Sequence, residues 1–306
     1  MSARHKAYLY LLIVAAVWGF APPISKTAFS SFPPLIFLTY RFLITNFLLI
    51  PLLLIFEPDT WHKLSLLKSN DWLKLILSGI LGSTFQLGLL FWGLDLTTSL
   101  DASILGAIPP ILVAIGGAIF LREKITRLQT WGLAIAFTGT LVIVLQPVLS
   151  GQGLFSGSFA GNFLVFLGGV CWAIYVLITK QELKHRLSPL LLTTNMFFTG
   201  FISISLITIF FYKPLAISSM LSTAPLHAHL SVIYMAFISG ALAYFLYQKA
   251  QSFLSASEAD IFLYLSPIFT APLAYFWLGE PITVPLIIGS LIIALGVIIS
   301  EIKTSR

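Results

Sequence analysis

Long apolar runs follow one another along almost the whole chain, separated by short polar breaks. A helix needs about 20 mainly apolar residues to cross the hydrocarbon core of a bilayer. Ten segments meet that length, at roughly 7–28, 34–56, 72–94, 98–121, 127–146, 159–180, 189–212, 228–251, 256–278 and 282–301. Their connections are short, except 57–71, 147–158 and 213–227, and none resembles a separate soluble domain. The pattern predicts an all-α integral membrane protein with ten transmembrane helices. "RHK" before the first run resembles the start of a secretory leader, but the run from Ala7 to Phe29 exceeds a leader's apolar core of about 7–15 residues. It is expected to stay as the first helix.

Composition fixes the solvent. Hydrophobic residues make up 58% and charged residues 9%, with a mean hydropathy of +0.97. A soluble domain is about a quarter charged, so this chain cannot cover itself with polar groups. The single cysteine, Cys171, lies in an apolar run and is expected to be a small packing residue. No histidine or cysteine cluster has metal-ligand spacing. The net charge of +6 resides in loops, where it reflects membrane sidedness rather than nucleic-acid binding.

Ten spans put both termini on one side, and the Lys/Arg bias chooses which. With the termini inside, 14 of 17 basic residues lie on the cytoplasmic half, and only Lys26, Arg41 and Lys213 lie outside. The reading is a multi-pass protein of a bacterial cytoplasmic membrane with both termini cytoplasmic.

The chain also repeats itself. At an offset of 154, Trp18 falls on Trp172, Lys26 on Lys180 and Leu38-Thr39 on Leu192-Thr193. At 157, Pro110 falls on Pro267, "LREKIT" on "LGEPIT", and Gly132 and Gly139 on Gly289 and Gly296. From 99 to 139, 12 of 41 positions are identical. The expected units are 1–150 and 151–306. Each holds five spans, an odd number, so the second inserts upside down. This is the inverted repeat of secondary transporters, with its site near the membrane midplane where the halves meet.

These features resemble the EamA-type branch of the drug/metabolite transporter superfamily over nearly the whole chain, in two copies. The pattern is W-G with a lysine eight residues after the tryptophan ("WGFAPPISK"), then R-F opening the second span ("LTYRF"). A small or acidic opening to the fourth and ninth spans follows ("LTTSLDASI", "FLSASEADI"), then a mid-span proline, an L-x-E exit and G-x6-G. Pro22 and Pro23 depart from it, as does "CWAIYVLITK", which lacks the glycine. The resemblance implies spans one, three, four, six, eight and nine around a central cavity. It also implies transport, commonly export of amino acids or other small metabolites.

Candidate residues follow from depth and chemistry. Pro110 and Pro267 fall near the middle of the fourth and ninth spans. There a proline frees carbonyls, which is tolerated only against protein or a watery cavity. They are expected as paired gating hinges, with Pro22 bending the first span. Arg41 lies about 10 Å into the second span, deep enough for a site and shallow enough to snorkel as an anchor. Gln86, Trp172, Tyr175, Tyr244 and Tyr264 lie near mid-membrane and are expected to line the cavity, while Trp92, Tyr247 and Gln248 stand closer to span ends. Few charges among aromatics and amides suit a neutral, zwitterionic or hydrophobic solute better than a nucleotide sugar. Lys26 and Lys180 are expected to snorkel, Asp101 and Glu258 to cap helix N-termini, and Glu123 and Glu280 to anchor span ends. Asp260 is expected near a helix end, away from the midplane. No catalytic constellation, cofactor motif or nucleotide-binding motif is present. The expected partners are a small-molecule solute and membrane lipids; a receptor or scaffold of the same fold is the alternative class.

Overall fold

The computed structural model describes residues 2–97, 105–145, 158–184, 187–278 and 282–302. All its regular elements are helices. They are α1 (Ala3–Phe29), α2 (Pro34–Phe56), α3 (Thr60–Ser65), α4 (Ser69–Leu96), α5 (Pro109–Phe120), α6 (Arg127–Val144), α7 (Phe159–Lys184), α8 (Pro189–Phe211), α9 (Pro214–Thr223), α10 (Leu226–Gln251), α11 (Ala256–Asp260), α12 (Ser266–Leu278) and α13 (Val284–Glu301). Seven are long and apolar enough to cross a membrane: α1, α2, α4, α7, α8, α10 and α13. Their outward faces carry Phe47, Phe210, Leu291 and Ile298, all exposed. Such surface suits lipid, since every backbone polar group within a helix is already paired.

The starts are written locally. Thr126 with Gln129, and Ser255 with Glu258, form reciprocal capping boxes at α6 and α11. Ser188 caps α8, and prolines open α2, α5, α8 and α9, where the missing N–H has no partner to lose. Two of the long predicted connections hold the short helices α3 and α9.

Two expected spans are not continuous helices. The ninth runs as α11, a 3₁₀ segment Ile261–Leu265, and α12. In the fourth, residues 105 and 106 are helical, 107 and 108 form a turn and a bend, and α5 begins at Pro109; residues 98–104 lie outside the described set. Pro110 and Pro267 are therefore not mid-helix kinks as expected. Each is the second residue of a helix, in the first turn, where proline is tolerated. Conversely, α1 runs unbroken through Pro22 and Pro23.

α4 and α10 each contain one π-helical segment, Ile80–Phe85 and Phe237–Leu242. The two stand 157 residues apart, the same offset that aligns Pro110 with Pro267. A π turn strands a carbonyl, and outside donors take those of α10: Thr45 reaches Ala236 O at 3.2 Å and the Trp18 indole reaches Ser239 O at 3.0 Å.

Packing pairs the helices across the chain. α6 lies antiparallel to α13 through glycines: a Cβ on Gly132 would sit 2.6 Å from Gly296 O, and one on Gly139 would sit 2.7 Å from Gly289 O. α2 lies antiparallel to α8, with Thr39 Oγ1 2.8 Å from Thr208 Oγ1 and Asn46 Nδ2 donating to Phe197 O at 2.9 Å. α4 packs on α7, and α1 on α10 and α12.

Candidate solute site

The motif that opens the chain, Trp18-Gly19 with Pro22-Pro23, has a local explanation. Pro23 cannot donate to the carbonyl four residues back, that of Gly19. The Thr270 hydroxyl of α12 fills the gap at 2.6 Å. Gly19 permits this approach, because a Cβ there would stand 2.5 Å from Ser266 O. α1 is thus seated directly on the start of α12.

One residue earlier, Trp18 meets the aromatic residues of the second half. Its ring centroid lies 5.6 Å from Trp172, 5.0 Å from Tyr244 and 5.6 Å from Tyr247. Trp172 also contacts Tyr175 at 5.5 Å and Tyr247 at 5.3 Å. Most of these contacts are edge-on or tilted, the favoured geometries for such rings. These rings pack together in the interior of the bundle.

A polar network runs behind the rings. Tyr247 Oη donates to Asp260 Oδ1 at 2.6 Å, and Trp172 Nε1 donates to the same oxygen at 3.2 Å. Gln251 Nε2 donates to Tyr247 Oη at 3.3 Å, and Gln248 Nε2 to Tyr175 Oη at 2.7 Å. Asp260, Tyr247, Gln248 and Gln251 have no exposed surface. Lys180 is buried as well; its ammonium donates to Gln251 O at 2.6 Å and to Leu254 O. It does not snorkel as expected but caps the C-terminal carbonyls of α10, where a cation is favoured.

Among the residues expected to line the site, the structure brings together Trp172, Tyr175 and Tyr244. Arg41 is only 2% exposed on α2, within electrostatic range of Tyr244, and its Nε has no hydrogen-bond partner. It is buried in the bundle rather than extended to an interface. Tyr264 lies in the 3₁₀ break and donates to Ala107 O at 2.8 Å. Gln86 stands apart from the network, with its Oε1 buried and unbonded. Trp92 lies at the end of the bundle opposite the termini and is exposed. With Pro34, Gly88, Asp95 and Tyr212 it lines a cleft of about 290 Å³. Asp101 and Glu280 lie outside the described residues.

The sequence reading missed Asp260. It counts only five residues past the Ser255 cap, which places it near an end. Its depth comes from the packing of α7 and α10 around it. The triplet of Trp172, Tyr247 and Gln251, all able to donate, was the available signal.

At the end that carries the termini, α11 is clamped. Arg4 pairs with Glu258 and, at 3.1 Å, with Glu301. Gln129 Nε2 donates to Glu258 at 3.1 Å, and Glu123 accepts from the Ala256 amide at 3.0 Å. Glu258 is a helix cap, as expected, and also an ion-pair partner; Glu123 ties the end of α5 to the start of α11.

A helical bundle with apolar outer faces and a buried aromatic and polar interior has the build of a multi-pass membrane transporter. The model of the EamA-like transporter family matches this chain twice, over residues 5–145 and 159–301. The chain belongs to that family. It is 28% identical over 291 residues to "Uncharacterized transporter YyaM" of Bacillus subtilis (strain 168), covering 95% of this chain and 92% of that protein. It is 29% identical over 239 residues to a "Probable terminal-alkyne amino-acid exporter" of Streptantibioticus cattleyicolor, covering 78% of this chain and 75% of that protein. A solved crystal structure shares the fold, with a TM-score of 0.78 at 15% identity over 97% of this chain and 96% of that one.

Proposed function

We propose that this transporter is a secondary exporter of small metabolites, amino acids or similar neutral, zwitterionic or hydrophobic solutes, working by alternating access. Its ten spans form two inverted five-helix repeats, residues 1–150 and 151–306, and both termini face the cytoplasm of a bacterial inner membrane. The observation that carries the reading is the meeting of Trp18 and Arg41 from the first half with Trp172 and Tyr244 from the second in one buried cluster. Inverted-repeat transporters hold their solutes at such a junction. The antiparallel glycine contact of α6 with α13 and the matched π segments support the inversion.

The packed rings and the clamp of Arg4 on Glu258 and Glu301 support a state closed toward the termini. Tyr175, Tyr244 and Tyr264 line the solute path with Trp172, Arg41 offers a cation to an anionic group, and Gln86 joins when the rings part. Pro22, Pro110 and Pro267 mark where the helices bend. The amino-acid class takes support from the Streptantibioticus relative's name and from the scarcity of buried charge. Counterflow of radiolabelled amino acids and metabolites into proteoliposomes tests the function. Saturable counterflow of at least one solute is expected. Binding without flux would make the protein a receptor of the same fold.

A further inference from the structure

Asp260 has no exposed surface. One of its oxygens, Oδ1, takes both hydrogen bonds, from Tyr247 and Trp172. The other, Oδ2, is buried without a partner. Among the described residues no cation pairs with it: Arg4 is committed to Glu258 and Glu301, Lys74 faces Glu182, Lys180 is spent on two carbonyls, and the buried Arg41 stands toward Tyr244. A carboxylate kept in an apolar interior with a free oxygen is costly, and ionisable groups at such depth mark solute or ion paths.

The surroundings select the cation. Sodium would require several oxygens around it, and the Tyr247 hydroxyl beside Asp260 already accepts from Gln251 while donating to Asp260. A bare proton has no use for aromatic faces. An organic ammonium uses both features: its N–H groups reach a carboxylate oxygen, and its charge is drawn to indole and phenol rings. Trp172 and Tyr247 reach this carboxylate, and Trp18 stands in ring contact with both. We propose that Asp260 Oδ2 and these three rings form a recognition site for the ammonium group of the transported solute. The proposal rests on the transporter reading and narrows it, because it excludes solutes that carry no amine.

The test uses the full chain in lipid nanodiscs and reads tryptophan fluorescence, since two indoles line the site. The probes are 2-phenylethylammonium and its neutral counterpart 2-phenylethanol. The ammonium is expected to bind at least about tenfold more tightly, the scale of a desolvated cation–π and charge-assisted contact. Asp260→Asn keeps an acceptor for Tyr247 and Trp172 and is expected to erase that preference; Asp260→Glu is expected to keep part of it. Equal affinity for the two probes in the unmodified protein overturns the proposal, whatever the variants do. So does an ammonium preference that survives in folded Asp260→Asn. An Asp260-dependent proton flux with no ammonium preference would make the carboxylate a proton site, which also overturns it. Solute counterflow measured in parallel separates failure of this site from failure of the transporter reading.

Discussion

Tyr264 donates its hydroxyl hydrogen to the carbonyl of Ala107 at 2.8 Å, and the two residues stand 157 positions apart. That spacing is the offset that superposes the second half of the chain on the first, so each is the other's counterpart. Both also sit where a span is interrupted, Tyr264 in the 3₁₀ segment and Ala107 just before α5. The contact therefore locks one break against the other. Tyr264→Phe removes the donor while keeping the ring, and is expected to lower stability by about 1 kcal/mol. Ala107→Ser leaves the carbonyl in place and is expected to be neutral. Thermal unfolding in detergent distinguishes the two; equal effects would refute the lock.

The glycine seam of α6 and α13 offers a sharper test of the repeat. Gly132 faces Gly296 and Gly139 faces Gly289, and the 157-residue sequence offset carries one pair onto the other. Small residues let membrane helices approach closely, and overpacking costs about 1–3 kcal/mol or more. Gly132→Val and Gly289→Val are expected to destabilise by similar amounts, as are Gly139→Val and Gly296→Val. Monodispersity and unfolding temperature measure this. A large loss in one member of a matched pair and none in the other would speak against the symmetry.

Thr270 and Pro23 are predicted to be coupled. Thr270→Val leaves Gly19 O without a donor and is expected to cost about 1 kcal/mol. Pro23→Ala restores the helical N–H aimed at that carbonyl, so Thr270→Val in the Pro23→Ala background is expected to cost little. A double-mutant cycle with no coupling energy would sever the link between the two.

Orientation has its own check. With the termini inside, Ser31→Cys and Ser219→Cys react with impermeant thiol reagents in intact cells, and Lys68→Cys does not. Labelling of Lys68→Cys reverses the assignment.

Much of the helical plan was readable because lipid imposes a simple demand: a span must be long and apolar, and the runs that begin at Ala7, Pro34 and Pro189 are both. The repeat was readable because Trp18, Pro110 and Gly132 have identical counterparts. The breaks were not, because Pro110 and Pro267 look alike in sequence whether they kink a helix or start one. Only the backbone around Ile261–Leu265 decides between these. Trp172 and Tyr244 could be anticipated from depth and ring chemistry. Asp260 could not, because its burial depends on α7 and α10 folding over a segment that begins only four residues earlier. Lys180 likewise looked like an interface anchor until the carbonyls of Gln251 and Leu254 came within its reach.

The prolines carry the last prediction. Pro110 and Pro267 each occupy the second position of a helix that follows a break in its expected span. An alanine there has an N–H that can reach the carbonyl four residues back, Gly106 O in one case and Leu263 O in the other. Each helix could then propagate backwards into its break, since propagation adds a bond for each residue fixed. Span four straightens in Pro110→Ala, and span nine in Pro267→Ala. If the breaks are where the helices bend during transport, each variant should bind solute yet cycle more slowly, by about three- to tenfold for a barrier raised by roughly 1 kcal/mol. The inverted repeat adds a demand on direction. On the proposed inversion the two spans run opposite ways through the membrane, so stiffening one should favour access from one side and stiffening the other should favour the opposite side. A single cysteine at Ser239, in a Cys171→Ser background, reads this out with impermeant reagent applied to each face of sealed vesicles. Opposite accessibility in the two variants is expected. Equal accessibility with normal counterflow would reduce both prolines to fixed helix starts with no part in the motion.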